Sequence, residues 1–284
     1  MGEQLADRLQ LVSHDVRAEI LVALSHHHRD CGPDATLGFA DLRRRVGHDD
    51  PGNFNYHLER LRGTLVEQTE EGYQLSAVGH RFVAVLVSGR FDPDRSMQFP
   101  DTEVCCLVCG DPASVSYADG HLQVSCSDSH HARLNVGPEL LERRSVREAL
   151  RVALRRSLLE SRAVIDGVCS FCSGVTTGEL VRLSASPLSV WYEGHCERCG
   201  VAVQNTAGGC VVFHPAVVSF CYQHGRNIYR RAWDTIASSV DVVAVSDEDP
   251  LRVDVAVTLG AEQLELTLDR SATVTGVERV STAG

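Results

Sequence analysis

Two Cys-x-x-Cys pairs, Cys169-x-x-Cys172 and Cys196-x-x-Cys199, stand 23 residues apart and restrict the fold of this chain more than any other feature. Each pair makes a tight turn that aims two sulfurs at one point, and two such turns close a tetrahedron around a metal ion. The intervening Leu180-Val181-Arg182-Leu183 and Leu188-Ser189-Val190-Trp191-Tyr192 read as strands that bring one turn back to the other. Residues 167–206 are therefore expected to form a zinc ribbon. Four thiolates leave no coordination position open for a substrate, so the expected role of the zinc is structural. Redox switching, or no metal at all, is the alternative, and disulfides are a weaker one in a cytosolic setting.

Residues 103–136 carry a less complete version of the same arrangement. Cys106-x-x-Cys109 is followed by Val115-Ser116-Tyr117, the turn Ala118-Asp119-Gly120, Leu122-Gln123-Val124, and then Cys126. A second ribbon would place a cysteine at position 129, where Ser129 stands. His130 or His131 can supply a fourth ligand, and Cys105 can enter if the first turn shifts register. The expected set is Cys106, Cys109, Cys126 and His130; a hairpin that has kept its shape without a metal is the alternative. A site with three exposed cysteines would be the more labile of the two, and sensing of metal or oxidant would belong here.

Residues 137–166 form one long helical pattern, with Leu140, Val146, Leu150, Ala153, Leu154 and Leu158 along one side. Arginines 144, 147, 151 and 155 line another side, and the reading is a rigid spacer between two small modules. Beyond the ribbon, residues 207–284 begin with a short helix near His214–Gly225. Alternating runs at 240–245, 251–257 and 264–268 then imply a small antiparallel sheet. Residues 91–102, polar and containing proline, read as a linker.

The first ninety residues follow another logic. Residues 16–24 are apolar at helical spacing, Phe39-Ala40-Asp41-Leu42-Arg43-Arg44-Arg45-Val46 is a shorter amphipathic segment, and a turn follows at Gly47-His48-Asp49-Asp50. Asp50 is a plausible helix N-cap and Pro51 suits the first helical position, where its missing N–H costs nothing. In the helix so begun, Phe54, Leu58 and Leu61 share a face. That leaves Asn53, Asn55, Tyr56, His57 and Arg60 on or near the outer surface. Leu65-Val66-Glu67 and Glu70-Glu71-Gly72-Tyr73 then read as a β-hairpin.

Phe54-Asn55-Tyr56-His57-Leu58 resembles the end of the recognition-helix pattern of ArsR-type winged helix-turn-helix regulators. Residues 1–90, and more loosely the remainder, are similar to a zinc-ribbon-bearing group of such regulators from halophilic archaea. The resemblance implies sequence-specific binding of double-stranded DNA by a homodimer. In that reading Asn53, Asn55, Tyr56 and His57 face base edges while Arg43, Arg44, Arg60 and Arg62 reach phosphates. The chain departs from the family in lacking a Cys-Val-Cys motif near the helix-turn-helix, which argues against metal sensing there. Winged helices also dock proteins, so an adaptor for the transcription machinery is the competing function, and a thiol or metal sensor a third.

Composition bears on both readings. All 27 basic residues are arginine, and 38 acidic residues give a formal net charge of −11. Residues 1–90 hold ten Arg against thirteen Asp and Glu, a balance that opposes DNA binding at low salt. In multimolar salt the Debye length falls to about 3 Å, and local arginine placement decides instead. No apolar run reaches the roughly 18 residues that would mark a membrane span, so the expectation is a soluble, cytoplasmic protein. No phosphate loop, nucleophile elbow or His-Glu-x-x-His motif occurs, and an enzyme is not expected. The expected fold class is α+β.

Overall fold

The computed structural model describes residues 6, 8–90, 95–106, 109–127, 130–182, 190–230, 239–246 and 251–281. The fold is mixed α and β with several small antiparallel sheets, divided into two compact units, Met1–Asp92 and Pro93–Gly284. No helix among the described residues is long and apolar enough to cross a membrane.

In the first unit, helix α1 (Asp15–Cys31) precedes α2 (Phe39–Val46), which stops at Gly47 in the left-handed region. Helix α3 (Pro51–Leu61) starts as its sequence requires. The Asp50 carboxylate accepts from the backbone N–H groups of Gly52 and Asn53, and Pro51 takes the first position. Strands β1 (Val66–Gln68) and β2 (Tyr73–Leu75) pair antiparallel, and Ser76 caps helix α4 (Ala77–Leu86). Ile20, Leu21, Leu42, Phe54, Leu58, Leu61 and Val66 are fully buried and hold these elements to one core.

His57 departs from expectation. It is 5% exposed, not on the outer surface. It lies three residues after Phe54 and four before Leu61, so helical geometry places it on the buried face, with its ring 4.0 Å from that of His14.

The second unit opens with a four-stranded antiparallel sheet in sequence order: β3 (Met97–Cys105), β4 (Pro112–Ala118), β5 (His121–Cys126) and β6 (His131–Asn135). The expected linker at 91–102 is thus largely strand from Met97 onward; residues 91–94 lie outside the described ones. Met97 and Phe99 pair with Tyr117 and Val115, and Pro100 falls where the register shifts between Phe99 and Val104. An edge strand tolerates proline at such an irregularity. The expected hairpin at 103–136 is accordingly the middle of a larger sheet.

The single helix expected over 137–166 is two: α5 (Glu139–Glu142) and α6 (Val146–Ile165). Ser145 breaks the pattern because its side chain accepts from the Glu148 N–H while the Glu148 carboxylate takes the Ser145 N–H. Nor is α6 a spacer. Its Ala149, Leu150, Ala153, Leu154, Leu158 and Val164 are buried, and it packs on β3 and β6 from the first sheet and on β7 (Thr176–Arg182), β8 (Val190–Cys196) and β9 (Ala202–Thr206) from the second. The strand ends expected at Leu183, Leu188 and Ser189 lie outside the described residues, as does Ser129; β9 adds a strand that the sequence reading did not include.

Helices α7 (Ala207–Val211) and α8 (Pro215–Gln223) lead to a second four-stranded sheet, β10 (Val240–Val245), β11 (Val253–Leu259), β12 (Glu262–Leu268) and β13 (Val274–Ser281). One core runs through the whole unit, from Val115 and Leu122 through Leu150 and Leu154 to Tyr192, Val255 and Leu266.

Candidate metal centres and the exposed face of the third helix

Cys169, Cys172, Cys196 and Cys199 bring their sulfurs within 4.8 Å of one another, as do Cys106, Cys109 and Cys126 with a ring nitrogen of His130. All eleven cysteines are free thiols. Sulfur separations of 3.7 Å for Cys169–Cys199, 3.5 Å for Cys172–Cys196 and 3.7 Å for Cys109–Cys126 far exceed the length of a disulfide. They match the edge of a tetrahedron, about 3.8 Å, drawn around an ion about 2.3 Å from each sulfur. The 3.5 Å from Cys126 Sγ to His130 Nδ1 fits the same figure with one nitrogen ligand. Both groups could therefore hold a metal ion. Cys105, exposed at the end of β3, belongs to neither.

The turns explain why these residues converge. In three of them the fifth residue donates its N–H to the first cysteine's carbonyl: Gly110 to Cys106 at 3.1 Å, Ser173 to Cys169 at 2.9 Å and Gly200 to Cys196 at 3.0 Å. The cysteine N–H is taken in turn by the sixth residue's carbonyl, at Asp111, Gly174 and Val201. The fifth residue sits at positive φ each time, +77° at Gly110, +56° at Ser173 and +72° at Gly200. Glycine, as at 110 and 200, takes this conformation without steric cost, and Ser173 adopts it in the remaining turn. The fourth turn closes a residue shorter, from the Cys126 N–H to the His130 carbonyl, and presents an imidazole.

Within the second group the turn backbone and the neighbouring sulfurs pull the thiols in opposite directions. The Cys199 N–H, with that of Arg198, holds the Cys196 thiol down to about 6. The N–H groups of Cys172 and Phe171 lower Cys169. The Gly174 N–H favours the Cys172 thiolate, but burial and the neighbouring sulfurs push that thiol up to about 12. Crowded thiols that resist joint ionisation suit a cation at their centre, which removes the repulsion. The groups differ in shelter. Cys169 and Cys196 are buried, Cys172 is half-buried and Cys199 exposed, whereas in the first group only Cys106 is buried, with Cys126 half-buried and Cys109 exposed.

On α3, Asn53, Asn55 and Tyr56 are exposed, Tyr56 by 59%, while His57 is turned inward. The arginines divide by what they already hold. Arg43 donates to the carbonyls of His48 and Asp49, tying the turn between α2 and α3. Arg44 pairs with Asp41, and Arg62 with Glu59 and Gln68. Arg60, together with Arg45 at the end of α2, is exposed and has no partner among the described residues.

His214 caps α8 and His224 ends it, with Cys221 buried between, and these three do not gather into a ligand set. His27 is occupied by the Thr36 carbonyl, and His28 packs on His80 at 4.2 Å.

Both cysteine groups fall within residues 103–274, which match a family described as a domain of unknown function, DUF7351. The chain belongs to the DUF7351 family. The DUF7351 match begins just before the first cysteine group and ends in β13; a second domain of unknown function, DUF7347, matches residues 5–86, the helical unit. No curated protein matches the chain.

Proposed function

We propose that this protein is a sequence-specific transcriptional regulator that binds double-stranded DNA, acts in the cytoplasm as a dimer, and carries structural zinc in its second unit. The observation that carries the reading is the face of α3: Asn53, Asn55 and Tyr56 stand free on a helix whose other side is locked by Phe54, Leu58 and Leu61. The order α1–α2–α3 followed by the β1–β2 hairpin supports a winged helix-turn-helix reading, in which α3 would be the recognition helix and the hairpin the wing. Asparagines are bidentate readers of adenine, and Tyr56 suits a thymine methyl or a phosphate. Arg45 and Arg60 are free to neutralise phosphates. Arg44 and Arg62 exchange exposed intramolecular partners for phosphate at little cost, while Arg43 acts by holding the turn. Exposed Val78, Val85 and Val87 at α4 support a subunit contact.

The test is fluorescence anisotropy of the zinc-loaded protein, in multimolar KCl, against a duplex from its own upstream region, a scrambled duplex, and a pool of random duplexes from which bound sequences are recovered. Asn53→Ala is expected to weaken a selected site by about 1–3 kcal/mol and relax one base position, whereas Arg60→Ala weakens all sequences alike. Selection that recovers no preferred sequence removes the reading and favours a protein-docking adaptor.

A second reading rests on the shelter of the two cysteine groups. With one buried cysteine against two, the group at Cys106, Cys109, Cys126 and His130 is the less sheltered, and it would report metal or oxidant. That reading predicts that mild chelation changes DNA binding while the Cys169 group stays loaded.

A further inference from the structure

A cleft of about 1320 Å³ in the second unit is lined on one side by β5 and β6 and on the other by β7, β8 and β9, with Leu154 and Ser157 of α6 also contributing. On β8, Trp191, Glu193 and His195 line it, while the alternate Tyr192 and Cys196 are buried. The register sets their neighbours. Trp191 lies between Val181 and Thr206, neither of which covers an indole, so the ring remains partly open. Glu193 lies opposite Gln204, whose amide donates to its carboxylate at 3.0 Å. The pair keeps one carboxylate oxygen and the amide oxygen as free acceptors, with one amide N–H as a donor. The other two carboxylates at the cleft are neutralised, Glu179 by Arg270 at 3.1 Å and Glu160 by Arg156 at 2.7 Å.

The other wall differs in character. Arg133 on β6 is exposed and has no partner among the described residues. His121 and His131 flank it along the same wall. A wholly apolar ligand would leave Arg133 and the Glu193–Gln204 pair without partners, and a simple anion has no use for a half-open indole or a carboxylate–amide pair. A planar group to stack, a hydrogen-bonding edge and an anionic group are the three features that these side chains complement together.

We propose that this cleft binds a nucleotide, with its base stacked on Trp191 and edged by Glu193 and Gln204, and its phosphate on Arg133. The volume exceeds the 300–1000 Å³ usual for small-molecule sites, which leaves room for a free mononucleotide or for one held within a single strand. The inference is independent of the duplex reading of α3.

Trp233→Phe leaves Trp191 as the sole indole, so its fluorescence reports the cleft in the full-length, metal-loaded chain. The probes are the four ribonucleoside monophosphates, single-stranded pentanucleotides and inorganic phosphate. Saturable quenching by at least one mononucleotide or pentanucleotide, but not by phosphate alone, is expected. Arg133→Gln is expected to weaken it about tenfold, the loss typical of a charge-assisted hydrogen bond. Tighter binding of the pentanucleotide assigns the ligand to single-stranded nucleic acid, and tighter binding of the monophosphate to a free nucleotide. No saturable quenching by any nucleotide, equal quenching by phosphate, or an affinity unchanged in both Arg133→Gln and Glu193→Gln would overturn the proposal. Circular dichroism checks that the variants fold. Asn53→Ala leaves the quenching intact and Arg133→Gln leaves duplex anisotropy intact, so either reading can fail alone.

Discussion

His57 shows how one side chain couples the helical unit to pH. Burial, reinforced by the nearby His14, Arg17 and His48, holds its pKa below the ordinary 6.5, and its Nδ1 is buried without a hydrogen-bond partner. The unfolded chain therefore takes up the proton first. This contribution to stability is complete above pH 6.5 and is lost as the pH falls through the depressed folded value. The first unit is expected to melt at lower temperature at about pH 5 than at neutrality, and His57→Leu should reduce that difference; a pH dependence equal in the two proteins would contradict the assignment. At Gly200, φ of +72° makes Gly200→Val cost about 1–2 kcal/mol, read as a lower denaturation midpoint with metal bound. The cysteines could be read directly from the sequence because ligand spacing is set by the turn itself. The inward turn of His57 was legible in the same way, from its spacing to Phe54 and Leu61, whereas the His14 ring that meets it comes from another segment and was not.

The helix that the sequence pattern ran together over 137–166 breaks at a signal that was present. Ser145-Val146-Arg147-Glu148 is a capping box, and its reciprocal bonds start α6 afresh. Ser145→Ala is expected to cost about 0.5–2 kcal/mol, measured as a shift of the chemical denaturation midpoint. A negligible shift would mean that packing alone fixes where α6 begins. Other elements carried weaker signals. Strand β3 contains Pro100 and acidic residues, and becomes a strand only through its pairing with β4. Strand β9 is five residues long and depends on β8 in the same way. The face bearing Trp191, Glu193 and His195 is an alternation that could have been found, but Arg133 joins that cleft only through packing on α6. Helix α3 was the opposite case, because Asp50, Pro51 and the spacing of Phe54, Leu58 and Leu61 all act within one segment.

Two ligand groups in one unit and none in the other, among the described residues, predict a divided response to metal removal. The loaded protein should contain two metal ions per chain, and His130→Ala should lower that to one, counted by elemental analysis. Strong chelation is expected to abolish the calorimetric transition of the second unit while that of Met1–Asp92 persists. Loss of both transitions together would show that the units do not melt independently. The continuous core around α6 bears on synthesis as well. The first sheet, with Val115, Leu122, Val124 and Leu134 in that core, leaves the ribosome before the helix that packs on it has emerged. For that interval, several seconds at ordinary elongation rates of about 5–20 residues per second, an apolar sheet face waits in the open. Ribosomes stalled once the first sheet has cleared the exit tunnel, with α6 still inside it, should therefore display a nascent chain that recruits chaperones, and those stalled with α6 and the second ribbon fully emerged should not.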